Sequence, residues 1–570
     1  MAEVRGTKVD GEDKTGFAEM RRIAAIFAAI LSLASPFMAS AASEPPAKVA
    51  VLAHEPGYYT SLAKHIQRWL KGQGVTSVVA TPPESVAALK SAKVAFVVGY
   101  TEPTDAEIAQ LSSFVKRGGK LVVFYTASPA LANLMGVKVL GYKTAPYPGA
   151  WSRMDFDTSS IPGCPKSILQ TSSVLQRAVP VKGRGYAMAN WMDRKGKSSG
   201  DVAWIKTDTG FWMTHVLLAD GDEAYKSTLL AAICGYVDNS LWNAEIFAAK
   251  ERERAAALKA IAARQSPRKG EIHAVWDHSG CGLYPGDWKR TIELLKASNV
   301  TDLFVNVAGA GFAHYASSVL PRSKIFEQEG DQLAQCIAAA KGSGIRVHAW
   351  ILCFTATRST PDRLADFRKR GWRLKDRDGK LTEYLDPSNA EVRARLLDAM
   401  SEMRSKYKVD GIHLDFVRWY ERSVKPNDAT TVITRFVAEA RRRVKRPCWL
   451  TTAVLGKYPA CVASVGQDWD SWLSANLVDY VVPMDYTESL PQFESFVRQH
   501  ATVASHARRT IAGIGVTANE SRLDAKAVID QINVSRRYGL AGNALFDLDV
   551  TLEKQILPYL RMAIWKKESK

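Results

Sequence analysis

Short apolar runs alternate with longer amphipathic stretches along most of the chain. In the first third, strand-like runs stand at "KVAVLA" (48–53), "KVAFVVGY" (93–100) and "KLVVFYT" (120–126). Between the last two lies the helical pattern "TDAEIAQLSSFVKRGG", opened by a capping box at Thr104 and Glu107 and stopped by Gly118-Gly119. This alternation predicts a parallel sheet with helices on both faces, an α/β domain over residues 44–240. Residues 241–270, rich in Ala, Arg, Lys and Glu, read as a helical linker.

From Glu271 the strand signals recur as "EIHAVWDHSG", "TDLFVNVAG", "IRVHAWI", "VDGIHLDFV", "CWLTTAV", "VDYVVPMDYT", "TIAGIGV" and "NALFDLD". A helical pattern follows most of them; the clearest is "NAEVRARLLDAMSEMRSKY", with an S-x-x-E box at Ser388 and Glu391. Eight such units predict a (β/α)₈ TIM barrel over residues 271–565, so the expected fold class is α/β, a barrel preceded by an α/β domain.

Strands covered on both faces are apolar throughout. The fourth breaks that rule: Val409, Ile412, Leu414, Phe416 and Val417 obey it, yet Asp415 ends the run and Arg418 and Glu421 follow. Barrel enzymes take their reactive groups from strand C-termini and the loops beyond, so Asp415 reads as a group at the mouth. Other strands also end in polar or aromatic residues: Asp277 and His278, Asn306, His348 and Trp350, Asp485 and Tyr486, Asp547 and Asp549.

Two carboxylates beside a cleft are what glycosidic cleavage requires. One protonates the leaving oxygen; the other attacks the anomeric carbon, activates water or orients a substrate group. Asp415 and Asp485 are the expected catalytic pair. Asp277, His278, Asn306, His348, Trp350, His413, Arg418, Trp419 and Tyr486 are the expected substrate-binding residues, and Trp276 and Tyr284 join the aromatic platforms for sugar rings. Several have a plainer reading. Asp410 before Gly411 and Asp386 in "LDPSN" suit turns, His413 suits a hydrogen-bonded packing role, and Arg418 either pairs with a structural acid or holds Asp415 ionised.

Composition narrows the classes. The 570 residues carry 76 Lys+Arg against 58 Asp+Glu, a formal charge of +18. The basic residues are scattered over predicted helix faces with no nucleic-acid motif, so no nucleic-acid partner is expected. No metal-ligand spacing and no cofactor motif occurs, and none is expected. Residues 1–41 read as a leader: Arg21-Arg22, an apolar run from Ile23 to Ala34 and the Ala39-Ser40-Ala41 cleavage site form a signal peptide starting at Met20. The mature protein is expected to be periplasmic or secreted, with no membrane span. The seven cysteines form no C-x-x-C pair and read mostly as packed thiols.

In their order, "VNVAGAGFAHYASSVLP", "HAWI", "LDPSNAEVR", "VDGIHLDFVRWY" and "VVPMDYT" resemble the glycosyl-hydrolase-like family 10 barrels. Relatives act on peptidoglycan glycan strands, and distant kin on partly deacetylated poly-N-acetylglucosamine. The resemblance implies an exported glycoside hydrolase acting on an envelope or environmental polysaccharide; the alternative is a catalytically silent glycan-binding protein on the same scaffold. Chitinase-type barrels carry D-G-φ-D-φ-D-φ-E on the fourth strand; here His413 and Val417 replace the first inner and the last acid, so a chitinase-like proton donor is absent. "PMDYT" resembles the chitinase M-x-Y-D segment, which keeps Asp485 and Tyr486 in the site. The N-terminal domain resembles the flavodoxin-like domain of class I glutamine amidotransferases, but its expected elbow, "YTASPA" (125–130), lacks the nucleophilic cysteine and implies a non-catalytic module.

Overall fold

The computed structural model describes residues 47–566 apart from 55, 56, 83, 148 and 220, so the leader and its signal peptide lie outside the described residues. Val49–Ala53 lies between Val78–Ala80 and Val94–Val98, and the sheet continues through Lys120–Phe124 to Gly210–Met213, all parallel. Every residue of Val49–Ala53 and Val94–Val98 is buried, as cover on both faces demands. The Thr104 capping box forms: the Glu107 amide donates to the Thr104 hydroxyl at 3.3 Å, and the Thr104 amide donates to the Glu107 carboxylate at 2.8 Å.

Beyond Gly210–Met213 the same sheet turns antiparallel, through Ser198–Thr207, Gly185–Met192, Trp151–Phe156 and Ser167–Ser172. That half was not expected. Its strands are polar at the positions only one covered face leaves open, and they lack the continuous apolar runs that mark the parallel half. The N-terminal sheet is therefore mixed and nine-stranded, and the flavodoxin-like resemblance is not confirmed.

The stretch after this domain is mainly one helix, Ala244–Ala263, whose N-cap Asn243 accepts from the amides of Glu245 and Ile246. It lies against the barrel: Leu258, Ile261 and Ala262 join the barrel's outer core, and Arg254 pairs with Asp524 at 2.9 Å.

The eight barrel strands are Ile272–Asp277, Asp302–Gly309, Arg346–Leu352, Gly411–Asp415, Trp449–Leu455, Tyr480–Met484, Ile511–Gly515 and Gly542–Phe546. The first pairs in parallel with both the second and the eighth, which closes a (β/α)₈ barrel. Two packing layers explain the apolar runs. Trp276, Phe304, Trp350, Val482 and Ala544 fill the interior, while Val275, Leu303, Ile412 and Leu414 face the helices. Tight spots need glycine: a Cβ on Gly411 would stand 2.1 Å from His348 Nδ1.

Two local expectations change. The helix Ala390–Glu402 is capped by Asn389, whose side chain accepts from the amides of Glu391 and Val392, and not by Ser388. Ser388 instead donates to Asp386 at 2.6 Å, so Asp386 shapes the turn. A hairpin, Arg373–Lys375 with Leu381–Leu385, also follows the third strand and was not foreseen. The seven cysteines are all unpaired, six of them buried. Among the described residues, no helix is long and apolar enough to cross a membrane.

Candidate active site at the barrel mouth

Strand pleating sends alternate side chains inward. On the fourth strand these are Gly411, His413 and Asp415. His413 is completely buried; the Trp276 indole N–H donates to its Nε2 at 3.0 Å, and Phe304 stacks on its ring at 4.1 Å between centroids. Because Nε2 accepts, the ring proton sits on Nδ1 and is donated to the Thr451 hydroxyl at 2.8 Å. Burial holds the His413 pKa well below its ordinary value, so the ring is neutral. It supports Trp276 from beneath and offers no free atom to a substrate.

Above this layer stands Asp415. Its Oδ1 accepts from the Phe416 amide at 2.6 Å, and Phe416 adopts φ 53°, a left-handed conformation that costs a non-glycine residue of order 1–3 kcal/mol. Strain of this kind, at a strand end beside a buried acid, is common where a chain aims a functional group. Burial raises the Asp415 pKa above the ordinary carboxylate value; Arg418 and the Phe416 amide oppose the rise. The Arg418 guanidinium lies 4.5 Å over the Phe416 ring.

An aromatic wall surrounds this acid. Ring centroids are 6.5 Å apart for Trp276–Tyr486, 5.5 Å for Tyr486–Phe546, 5.7 Å for Phe546–His278 and 5.8 Å for His278–Trp350. Burial and then the charges of Asp415, Asp547, Glu520 and Asp485 push the Tyr486 hydroxyl well above its ordinary pKa, so four carboxylates act on one phenol. Asp547 ends the eighth strand and accepts from the Thr517 hydroxyl at 2.8 Å. Burial, aided by the charge of Asp277, pushes Asp547 up to about 6; burial and Asp547 push Asp549 up to about 7. A cavity of about 440 Å³ opens beside Arg418, Gly456, Met484, Tyr486 and Glu520. Asn306, wholly buried and inward-facing beside Trp350 in the register, leaves both side-chain polar atoms without a partner among the described residues. So does Arg418 Nη1.

Not every expected residue comes here. Asp485 follows Met484 with the opposite pleat and faces the helix layer, where its Oδ1 meets His500 Nε2 at 2.9 Å and neither side chain is exposed. Gly456 lies so close that a Cβ there would stand 2.1 Å from Asp485 Oδ1. Asp485 is thus not brought to Asp415, and the expected pair does not assemble. His348 faces the interior one layer below Trp350, bonded to Asp302 at 2.9 Å, and belongs to the barrel floor. Trp419 is in the outer core, its indole directed at the Ala429 carbonyl at 3.4 Å. Asp277 is spent on its own loop, accepting from Ser279 Oγ at 2.6 Å and from the amides of Gly280 and Gly282 at 3.2 and 2.8 Å. The mouth keeps Asp415, His278, Asn306, Trp350, Arg418 and Tyr486. It gains Phe546, Asp547, Glu520 and the stacked pair Tyr384–Tyr420, with centroids 4.0 Å apart. "NALFDLD" carried the Asp547 signal in plain view; Glu520 lies in a polar loop with no periodic signal.

Residues 274–451 match the model of the family described as Glycosyl hydrolase-like 10. The match runs from the first to the fifth barrel strand; it includes Asp415 and stops short of Tyr486 and Asp547. No curated protein matches the chain. Among solved structures, the chain is similar to the glycoside hydrolase domain of PgaB (BpsB) from Bordetella bronchiseptica. That likeness has 14% identity and a TM-score of 0.40, covering 52% of this chain and 99% of that one. The spore cortex-lytic enzyme SleL from Bacillus cereus follows at 11% identity and TM-score 0.34, covering 53% and 75%. A class V chitinase from Pseudomonas fluorescens is 12% identical with TM-score 0.34, covering 51% and 99%.

Proposed function

We propose that the protein is an exported glycoside hydrolase acting on a bacterial envelope or environmental polysaccharide. The observation that carries this reading is Asp415: a buried acid at the end of the fourth strand, ringed by Trp276, Trp350 and Tyr486, within the stretch that matches the family. A sugar ring stacks on the accessible part of the wall, Tyr486, Phe546 and His278, while Asp415 faces the glycosidic oxygen. Burial raises the Asp415 pKa, against the opposing charge of Arg418, and so favours the protonated form that gives its proton to the leaving oxygen as the C–O bond breaks. Asp547 replaces Asp485 as the second carboxylate. Ionised above about pH 6, it stabilises positive charge at the anomeric carbon and takes the proton of the incoming water. Arg418, partly exposed and with an unspent donor, binds a sugar hydroxyl.

The test is Asp415→Asn in the full chain, incubated with a panel of bacterial and plant glycans and read by product masses. Asn keeps shape and hydrogen bonding but holds no transferable proton, so a loss of roughly 10³-fold, about 4 kcal/mol, is expected with an unchanged circular-dichroism spectrum. Near-normal turnover by this variant sinks the assignment. A second reading, a silent glycan-binding protein, draws on Val417, fully buried where chitinase-type barrels place their donor. Glycan binding by the unsubstituted chain with no product from any member of the panel would favour it.

A further inference from the structure

A second cavity, of about 510 Å³, lies between the N-terminal domain and the barrel. That is within the range of roughly 300–1,000 Å³ typical of ligand sites. The barrel side presents Thr517, Asn519, Arg522, Asp547 and Asp549; the opposite wall presents Arg68, Glu223 and Ser227. An ion pair links the walls, through a carboxylate hydrogen-bonded on its own side. Glu223 Oε2 accepts from Arg68 and from the Trp69 indole, both at 3.1 Å, and Glu223 Oε1 lies 3.9 Å from Arg522 of the barrel.

This cavity adjoins the mouth through shared elements. Asp547 lines it, yet its charge also reaches Tyr486 in the mouth. The loop after the seventh strand separates the two spaces, with Glu520 lining the mouth cavity and Asn519 the interdomain one. A polysaccharide held at Asp415 is longer than the mouth and must leave it along some surface. The interdomain walls offer what sugar hydroxyls bind: planar Arg, Asn, Asp and Glu groups that give and accept paired hydrogen bonds.

We propose that the interdomain cleft is a glycan-binding subsite, so that the N-terminal domain sets the length of polysaccharide the protein holds. The substrate class rests on the hydrolase reading above; the site itself rests on the cavity. The test uses the full chain carrying Asp415→Asn, so that no ligand is consumed. Binding of N-acetylglucosamine oligomers and of β-1,4-glucose oligomers, two to eight units long, is measured by calorimetry. Affinity should rise with length and then level off. Adding Arg68→Ala on one wall, or Asn519→Ala on the other, should weaken the longest bound oligomers about tenfold and leave the shortest unchanged. Both residues are exposed, and agreement between variants on opposite walls separates a binding loss from a folding defect in either domain. The proposal is overturned if long and short oligomers weaken alike, if neither changes, or if no oligomer of either series binds. Cleavage is scored separately on the unsubstituted chain: length-dependent binding without cleavage removes the hydrolase reading and leaves the subsite standing.

Discussion

Asp485 and Asp547 look alike in the sequence, each an acid at the end of an apolar strand. Their partners separate them in consequence. Asp485 is locked against His500 in a fully buried pair, whereas Asp547 keeps partial exposure and a hydroxyl partner. Their Asn variants should therefore diverge. Asp485→Asn should cost about 1–3 kcal/mol of stability, by weakening a charge-assisted hydrogen bond inside the core, and leave turnover of the folded protein within about threefold. Asp547→Asn should lower turnover on the order of 10²-fold. It should also abolish the acid limb of the activity profile: a base with a pKa of about 6 must be ionised, so kcat/KM of the parent falls as pH drops through about 6. A chain in which Asp485→Asn is the more damaging to turnover would reverse the two assignments. His413 teaches the same lesson, since a histidine on the catalytic strand proves to be a neutral prop under Trp276.

Among the elements, the barrel strands were the most legible, because cover on two faces demands apolar runs that no loop imitates. Caps were less so. Ser388 and Asn389 are adjacent, both suit an N-cap, and the spacing to Glu391 favoured the wrong one. The choice turns on Asp386, which draws Ser388 into its own turn and leaves Asn389 to accept the first free amides of Ala390–Glu402. Asn389→Ala should cost about 1 kcal/mol in urea unfolding, the usual worth of a cap. Ser388→Ala should cost distinctly less; equal losses would return the cap to Ser388. The hairpin Arg373–Lys375/Leu381–Leu385 has no clear sequence signal because its strands are short and mostly half-buried, with only Leu374 and Leu385 in the core.

At the scale of the molecule, the two domains meet through charge as well as apolar contact: Arg194 pairs with Glu329 at 2.8 Å, and Lys554 stands 3.7 Å from the buried Asp222. The acids at that junction should govern stability against pH. Asp547 and Asp549 titrate at about 6 and about 7 in the folded chain, above the ordinary aspartate value near 4 that the unfolded chain shows. Through these two acids the folded state binds more protons between about pH 4 and 7, so their contribution to stability falls as pH rises through that window, while the buried neutral His413, His278 and His314 contribute in the opposite direction. The loss should be on the order of 1–3 kcal/mol, and Asp549→Asn should flatten the slope and raise the melting temperature at about pH 8. A difference in melting temperature between the two proteins that does not change from about pH 5 to about 8 would contradict the burial of Asp549.

The order of strands and helices, the barrel and the placing of Asp415 at its mouth were decided by local pattern alone, because periodicity and cover are properties of neighbouring residues. Which acid is proposed to act with Asp415 was not, since Asp485 and Asp547 differ in the partners that folding brings from distant segments, His500 for one and Thr517 for the other. The antiparallel half of the first sheet and the cavity between the domains likewise exist only once strands and walls far apart in the chain are brought together, by contacts that no single segment encodes.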